Sequence, residues 1–221
     1  MAGFALIHGA GDVGWYWHLV DEELVRKGHH VVAPDLPCED DSAGLAEYAD
    51  VVADAIGDRR DTVVVAQSAG AFVAPLVADR VPVGLLVLVA GLVPAPGETA
   101  GEWWANTGYA PPRGEWSGDV RATFYHDVPA ELADEAMKRG RRQSDTPSLE
   151  PWPLEAWPDV PTRFVLCRDD RLLPADFLRR VVQERLGLVP DEIDAGHCVA
   201  LSRPKELAEH LDGYVASEAP E

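Results

Sequence analysis

Thr62-Val63-Val64-Val65-Ala66-Gln67-Ser68-Ala69-Gly70-Ala71 is the stretch whose reading decides the fold. Its β-branched start, apolar without alternation, predicts a strand buried on both faces, which is the pattern of a parallel sheet covered by helices. From Ala69 the composition changes to small, helix-tolerant residues, so a strand meets a helix with a serine at the junction. Such a sharp turn strains its central residue and leaves the hydroxyl above the sheet, provided that residues two before and two after are small. Here those residues are Ala66 and Gly70, where the usual pattern has glycine at both. A serine there could also simply cap the helix that follows. The rest of the chain must separate the two readings.

Outward from this stretch, short apolar runs alternate with helical patterns, which implies an α/β architecture. Strands are expected at Gly3–His8, His30–Ala33, Thr62–Gln67, Gly84–Ala90, Arg163–Cys167 and Val189–Asp194. Helices are expected near Trp15–Lys27, Ala43–Gly57, Ala69–Val81, Pro174–Leu186 and Pro204–Ala216. The result is one domain, 1–221, with a mostly parallel sheet of about six strands. The alternation breaks over residues 94–160, where Pro, Gly and Trp cluster and one helix is evident, Pro129 to about Arg142. So long an interruption in a compact domain is expected to have a task, and a cap over a site fits it. The tail Ser217–Glu221 is small and polar and is expected to fray.

Composition excludes several classes of function. A formal net charge of -19 repels phosphate backbones and anionic membrane surfaces, so nucleic acid and membrane are not expected partners. The bland reading of that acidity is a well-solvated surface. No apolar run is long enough to cross a bilayer, and the first residues lack the basic and apolar regions of a signal peptide. Cys38, Cys167 and Cys198 are odd in number and lack metal-ligand spacing, which fits a reducing cytoplasm. A homodimer stays open.

If Ser68 is a nucleophile, it needs a base, and the base needs an acid to orient it. Both are expected after later strands, acid first and histidine second. The Arg163–Cys167 strand runs into Asp169 and Asp170, and Asp170 is the favoured acid, with Asp169 the alternative. His197 follows the last strand, after Gly196, which would permit a tight turn aiming the imidazole back at Ser68. His8 reads instead as a prop for the loop after the first strand. Backbone amides of Ala69 and of Ala10, in His8-Gly9-Ala10-Gly11, are the candidate oxyanion donors. That glycine-rich loop lacks the spacing and the lysine of a phosphate cradle.

With these residues in place, the chain resembles the methylesterase and hydroxynitrile lyase branch of the α/β-hydrolases, especially its compact bacterial members. The resemblance runs through Phe4–Ala10 with Trp15-Tyr16-Trp17, Val31–Pro37, the Ser68 turn, Phe124-Tyr125-His126-Asp127, Cys167–Asp170, Gly196-His197 and Ser202–Leu207. It implies an α/β-hydrolase fold and a Ser68–His197–Asp170 triad but not the substrate; the leading reading is an esterase that works on a small-molecule ester without cofactor or metal. The cyanohydrin lyases of the branch carry a hydroxyl residue at the position of Ala10 and commonly a lysine after the catalytic histidine. Here those positions are Ala10 and Cys198, which favours ester or lactone hydrolysis, with an inactive binding protein and a lyase or perhydrolase as the other readings. Cys198 then reads as a pocket wall. Trp15, Trp17, Gln67, Trp103 and Trp104 are the other candidate pocket residues, although tryptophans also fill cap cores. Trp116, Trp152 and Trp157 complete the tryptophans of the cap.

Overall fold

A computed structural model describes residues 1–110 and 119–218. Trp116 and residues 219–221 lie outside the described residues, whereas Ser217 continues the last helix.

In chain order the elements are β1 (Gly3–Ile7), a 3-10 turn (Gly14–Trp17), α1 (His18–Arg26), β2 (His30–Val32), α2 (Leu45–Ile56), β3 (Thr62–Gln67), a second 3-10 turn (Ser68–Phe72), α3 (Ala74–Ala78) and β4 (Val83–Val89). An insertion then carries α4 (Ala100–Asn106), α5 (Val120–Phe124), α6 (Ala130–Arg139) and α7 (Thr146–Leu149). The core resumes with β5 (Thr162–Cys167), α8 (Ala175–Leu186), β6 (Asp191–Ile193), α9 (Val199–Ser202) and α10 (Pro204–Glu218). Among the described residues six strands form one sheet in the order β2-β1-β3-β4-β5-β6, every neighbouring pair parallel. This is the α/β-hydrolase architecture that the sequence predicts.

Successive side chains of a strand point to opposite faces, and both faces are buried here. Ala5, Ile7, Val64, Ala66, Leu86, Leu88, Phe164 and Leu166 pack in one cluster with Val52 of α2, Leu76 of α3 and Leu178 of α8. Phe4, Leu6, Val63, Val65, Leu85, Val87 and Val165 pack in the other with Val20 of α1, Val199 of α9 and Leu207 of α10. Each buried Val or Leu stabilises the fold by roughly 1.5–3 kcal/mol relative to exposure. β3 is buried along its whole length and carries the serine turn at its carboxyl end.

Besides Ser217, several expectations change: the last strand is shorter, Asp191–Ile193 rather than Val189–Asp194, and the short helix α9 is not among those expected. The helix expected from Ala69 begins as the 3-10 turn and becomes α-helical only at Ala74, because Ser68 has a positive φ of 53° and Pro75 lacks an N–H. The insertion carries four short helices among its described residues rather than one. Indole N–H groups near the two ends of the insertion tie it to the core: Trp103 of α4 donates to the Val93 carbonyl at 2.8 Å, and Trp152, after α7, to the Phe72 carbonyl at 3.0 Å. Glu98, its side chain 3 % exposed, accepts from Arg185 of α8 at 2.8 Å and ties the start of the insertion to that helix. No helix among the described residues is long and apolar enough to cross a membrane.

Candidate active site

Three turns at the carboxyl ends of β1, β3 and β5, with a fourth after β6, converge on one cavity of about 970 Å3. This is where ligands gather in open parallel sheets.

Ser68 is one of few non-glycine residues here with positive φ, a strain of order 1–3 kcal/mol that surrounding contacts must hold in place. Gly70 makes the turn possible by absence. A Cβ there would stand 2.7 Å from the His8 carbonyl oxygen and 3.0 Å from Ile7 Cγ2. Gly9 is constrained likewise, since a Cβ would meet Gln67 Oε1 at 2.5 Å and Ser68 Cβ at 3.2 Å. The loop after β1 therefore lies directly against the serine turn, and Ala10 and Ala69 both line the cavity with Ser68. Ala66, the departure from glycine, is fully buried in the core beneath.

His8 shapes this loop from below. Its Nε2 accepts the Leu36 N–H at 3.0 Å, so its proton sits on Nδ1 and is donated to the Gly9 carbonyl at 2.8 Å. Burial lowers its pKa to about 4, so the ring is neutral at physiological pH.

Asp170 and His197 meet across the mouths of β5 and β6. His197 Nδ1 donates to Asp170 Oδ2 at 2.7 Å, and the two residues are 2 % and 5 % exposed. The other carboxylate oxygen accepts the N–H groups of Leu172 at 2.8 Å and Leu173 at 3.0 Å, which fixes the carboxylate plane. Nε2 is then the ring nitrogen left for other work, and His197 lines the same cavity as Ser68. Asp169 is exposed, and among the described residues it meets the histidine turn only through its backbone, by its N–H on the Ala195 carbonyl at 3.0 Å.

Gly196 supplies this turn with space, because a Cβ would stand 2.5 Å from Asp127 Oδ1 and 2.7 Å from His126 Nε2.

Of the candidate pocket residues, Gln67, Trp104 and Cys198 line the cavity, and Trp15, Trp17 and Trp103 do not. Trp17 and Trp103 are wholly buried in the two core clusters, and Trp15 is sandwiched outside the cavity between the His18 ring at 4.2 Å and the Arg139 guanidinium at 4.6 Å. Large aromatics bury surface equally well in a core or a pocket, so residue type cannot tell the two apart. Burial raises the Cys198 thiol pKa, and the neighbouring Asp12, Asp170 and Asp127 push it further, so the thiol stays protonated.

The structure adds wall residues that sequence reasoning did not single out. Leu92, Tyr109, Phe124, Met137 and Leu172 make much of the wall apolar. Asp12 and Arg141 bring charge to it. Burial raises the Asp12 pKa to about 6, against the opposing hydrogen bond from the Val13 N–H and the charge of Arg141. Arg141 is held by backbone carbonyls, its Nη2 donating to Asp12 at 2.7 Å and to Leu36 at 2.9 Å. Only the Phe124–Asp127 run had a signal in the sequence, as part of the resemblance, and no role was attached to it.

Comparison with known proteins bears on the fold and the family. A model of the Alpha/beta hydrolase family matches residues 4–210. No curated protein matches the chain by sequence. Among solved structures, polyneuridine aldehyde esterase superposes with a TM-score of 0.82 at 18% identity, covering 97% of this chain and 99% of that one. A pyrethroid hydrolase from Sphingobium faniae JZ-2 gives a TM-score of 0.79 at 22% identity, covering 98% of both chains. A methylesterase from Arabidopsis gives 0.81 at 16% identity, covering 98% of this chain and 100% of that one. With the family pattern matched over nearly its whole length, the chain belongs to the α/β hydrolase family.

Proposed function

We propose that the chain is a serine esterase in which Ser68 is the nucleophile, His197 the general base and acid, and Asp170 the group that orients His197. The observation that carries this reading is the buried 2.7 Å bond from His197 Nδ1 to Asp170, in a cavity shared with a strained Ser68. Asp170 fixes the tautomer, so Nε2 can take the Ser68 proton as Oγ attacks the ester carbonyl. The carbonyl oxygen becomes an oxyanion, for which the backbone N–H groups of Ala10 and Ala69 are the proposed donors, each worth about 3–4 kcal/mol of barrier by analogy with measured deletions. Collapse of the intermediate breaks the ester C–O bond, and His197 gives its proton to the departing alcohol. Water, deprotonated by His197 in turn, then attacks the acyl group and frees Ser68. These steps call on no cofactor.

The substrate class follows from the wall. Leu92, Trp104, Tyr109, Phe124, Met137 and Leu172 offer an apolar surface to the acyl or alcohol part, and the cavity admits a medium-sized ester or lactone. The structural neighbours that hydrolyse pyrethroids or are named as methylesterases are consistent with such substrates. Ala10 and Cys198, with its protonated thiol, put neither a hydroxyl nor a cation beside the reacting carbon, which favours hydrolysis over cyanohydrin cleavage.

A panel of chromogenic esters of increasing acyl length tests the reading. Wild type is expected to turn over one or more of them, and Ser68→Ala to lose several orders of magnitude in kcat, as triad deletions do elsewhere. Turnover by Ser68→Ala at the wild-type rate would reject the assignment.

A further inference from the structure

Four consecutive residues of the insertion touch the turn that carries His197. The Phe124 ring lies edge-on to the His197 imidazole, with centroids 5.3 Å apart at 73°. The Tyr125 hydroxyl pairs with the Cys198 thiol. His126 Nε2 donates to the Asp169 carbonyl at 3.0 Å. Asp127 Oδ2 accepts the Gly196 N–H at 2.8 Å. The last two bonds are matched in placement: one grips the residue before Asp170, the other the residue before His197.

Asp127 is costly where it stands. Its Oδ1 is buried and has no hydrogen-bond partner among the described residues, wedged where a Cβ of residue 196 would be. A buried carboxylate oxygen without a donor is a cost that the bond to its other oxygen must offset. What it does provide is a fixed anchor for the Gly196 backbone, one residue from the base.

We infer that Asp127, assisted by His126, is a positioning residue: through Gly196 and Asp169 the insertion clamps the two halves of the His197–Asp170 pair and sets the register of the imidazole over Ser68. The inference rests on the reading of His197 as the base. Neither His126 nor Asp127 lines the cavity, whereas Phe124 and Tyr125 do. Loss of the clamp therefore leaves substrate binding intact and misplaces the base, and a misplacement of about 1 Å can cost about 100-fold in rate.

The test compares Asp127→Ala, Asp127→Asn, His126→Ala and His197→Ala in one chromogenic ester assay, with thermal melts to show that each variant is folded at the assay temperature. Asp127→Ala is expected to lower kcat by about 30–100-fold with KM within about threefold. Asp127→Asn, which keeps an oxygen for the Gly196 N–H, is expected within about fivefold of wild type, and His126→Ala about tenfold below it. A wild-type kcat in Asp127→Ala overturns the clamp, as does an Asn variant as poor as the Ala variant, or a loss that falls on KM alone. Should Asp127→Ala fail to fold, His126→Ala decides by the same split between kcat and KM. If His197→Ala stays active, the base assignment has failed and the clamp with it. If His197→Ala is dead while Asp127→Ala and His126→Ala keep the wild-type kcat, only the clamp has failed.

Discussion

Acid should weaken this fold through His8, whose ring is fully buried under the loop that presents Ala10. In the native state its Nε2 lone pair accepts the Leu36 N–H at 3.0 Å, so a second proton would point donor against donor. Burial is the main reason that its pKa falls from 6.5 to about 4, with the Arg141 charge adding to the effect. The Gly9 carbonyl and Asp35 oppose it. In the unfolded chain the imidazole regains its ordinary value, so between the two pKa values the unfolded state binds a proton that the native state refuses. Stability contributed by neutral His8 is therefore complete above pH 6.5 and is lost as pH falls to about 4. At about 1.4 kcal/mol per pKa unit, the loss is about 3 kcal/mol. Carboxylates titrate in the same window, so the measurement is a difference. Urea unfolding, followed by tryptophan fluorescence at steps from pH 7 to 4, is compared for wild type and His8→Gln, which keeps an acceptor for Leu36 but does not titrate. The gap between the two should shrink by about 3 kcal/mol over that range. A gap that stays constant with pH would refute the reasoning.

Asp170→Asn should cost several orders of magnitude in kcat and Asp169→Asn almost nothing, because only Asp170 reaches the imidazole by its side chain; steady-state kinetics of the pair would show it, and the reverse ranking would move the acid by one residue. Asp12 ionises in the cavity wall near pH 6, so KM for an ester with a cationic alcohol should fall as pH rises through 6 and stay flat in Asp12→Asn. Glu98→Ala strands the Arg185 guanidinium, only 16 % exposed, and should cost about 3–5 kcal/mol in urea unfolding. A loss under 1 kcal/mol would show that water replaces the carboxylate there. Burial works to raise the Glu98 pKa, but its bonds from Arg185 and Asn106 together hold it below its ordinary value, so the Glu98–Arg185 pair's contribution is present above pH 4.5 and fades on acidification below it.

The sheet was readable because most strands, β1, β3, β4 and β5 above all, carry short apolar runs, and each site residue follows a strand. Val63–Val65 before Ser68, Phe164–Cys167 before Asp170 and Ile193 before His197 are local signals, and strand order in an α/β sheet carries them to one edge. The insertion was not readable in the same way. Its helices α4, α5 and α7 span seven, five and four residues, too short for helical periodicity to register against the surrounding Pro and Gly. The wall residues escaped for another reason. Arg141 reaches Asp12 across 129 positions of sequence, and nothing in the neighbourhood of either residue announces the contact. Gly196 is expected from the sequence to permit a tight turn; what no local signal announces is that it also leaves room for Asp127, a partner 69 positions away.

The central claim is that Ser68 is the nucleophile, and covalent trapping tests it most directly. Wild-type protein treated with a fluorophosphonate, digested and analysed by mass spectrometry should carry one adduct, on the peptide containing Ser68, with ester turnover lost in proportion to labelling. Full inhibition with the adduct on another residue, or undiminished turnover with Ser68 fully labelled, would contradict the account.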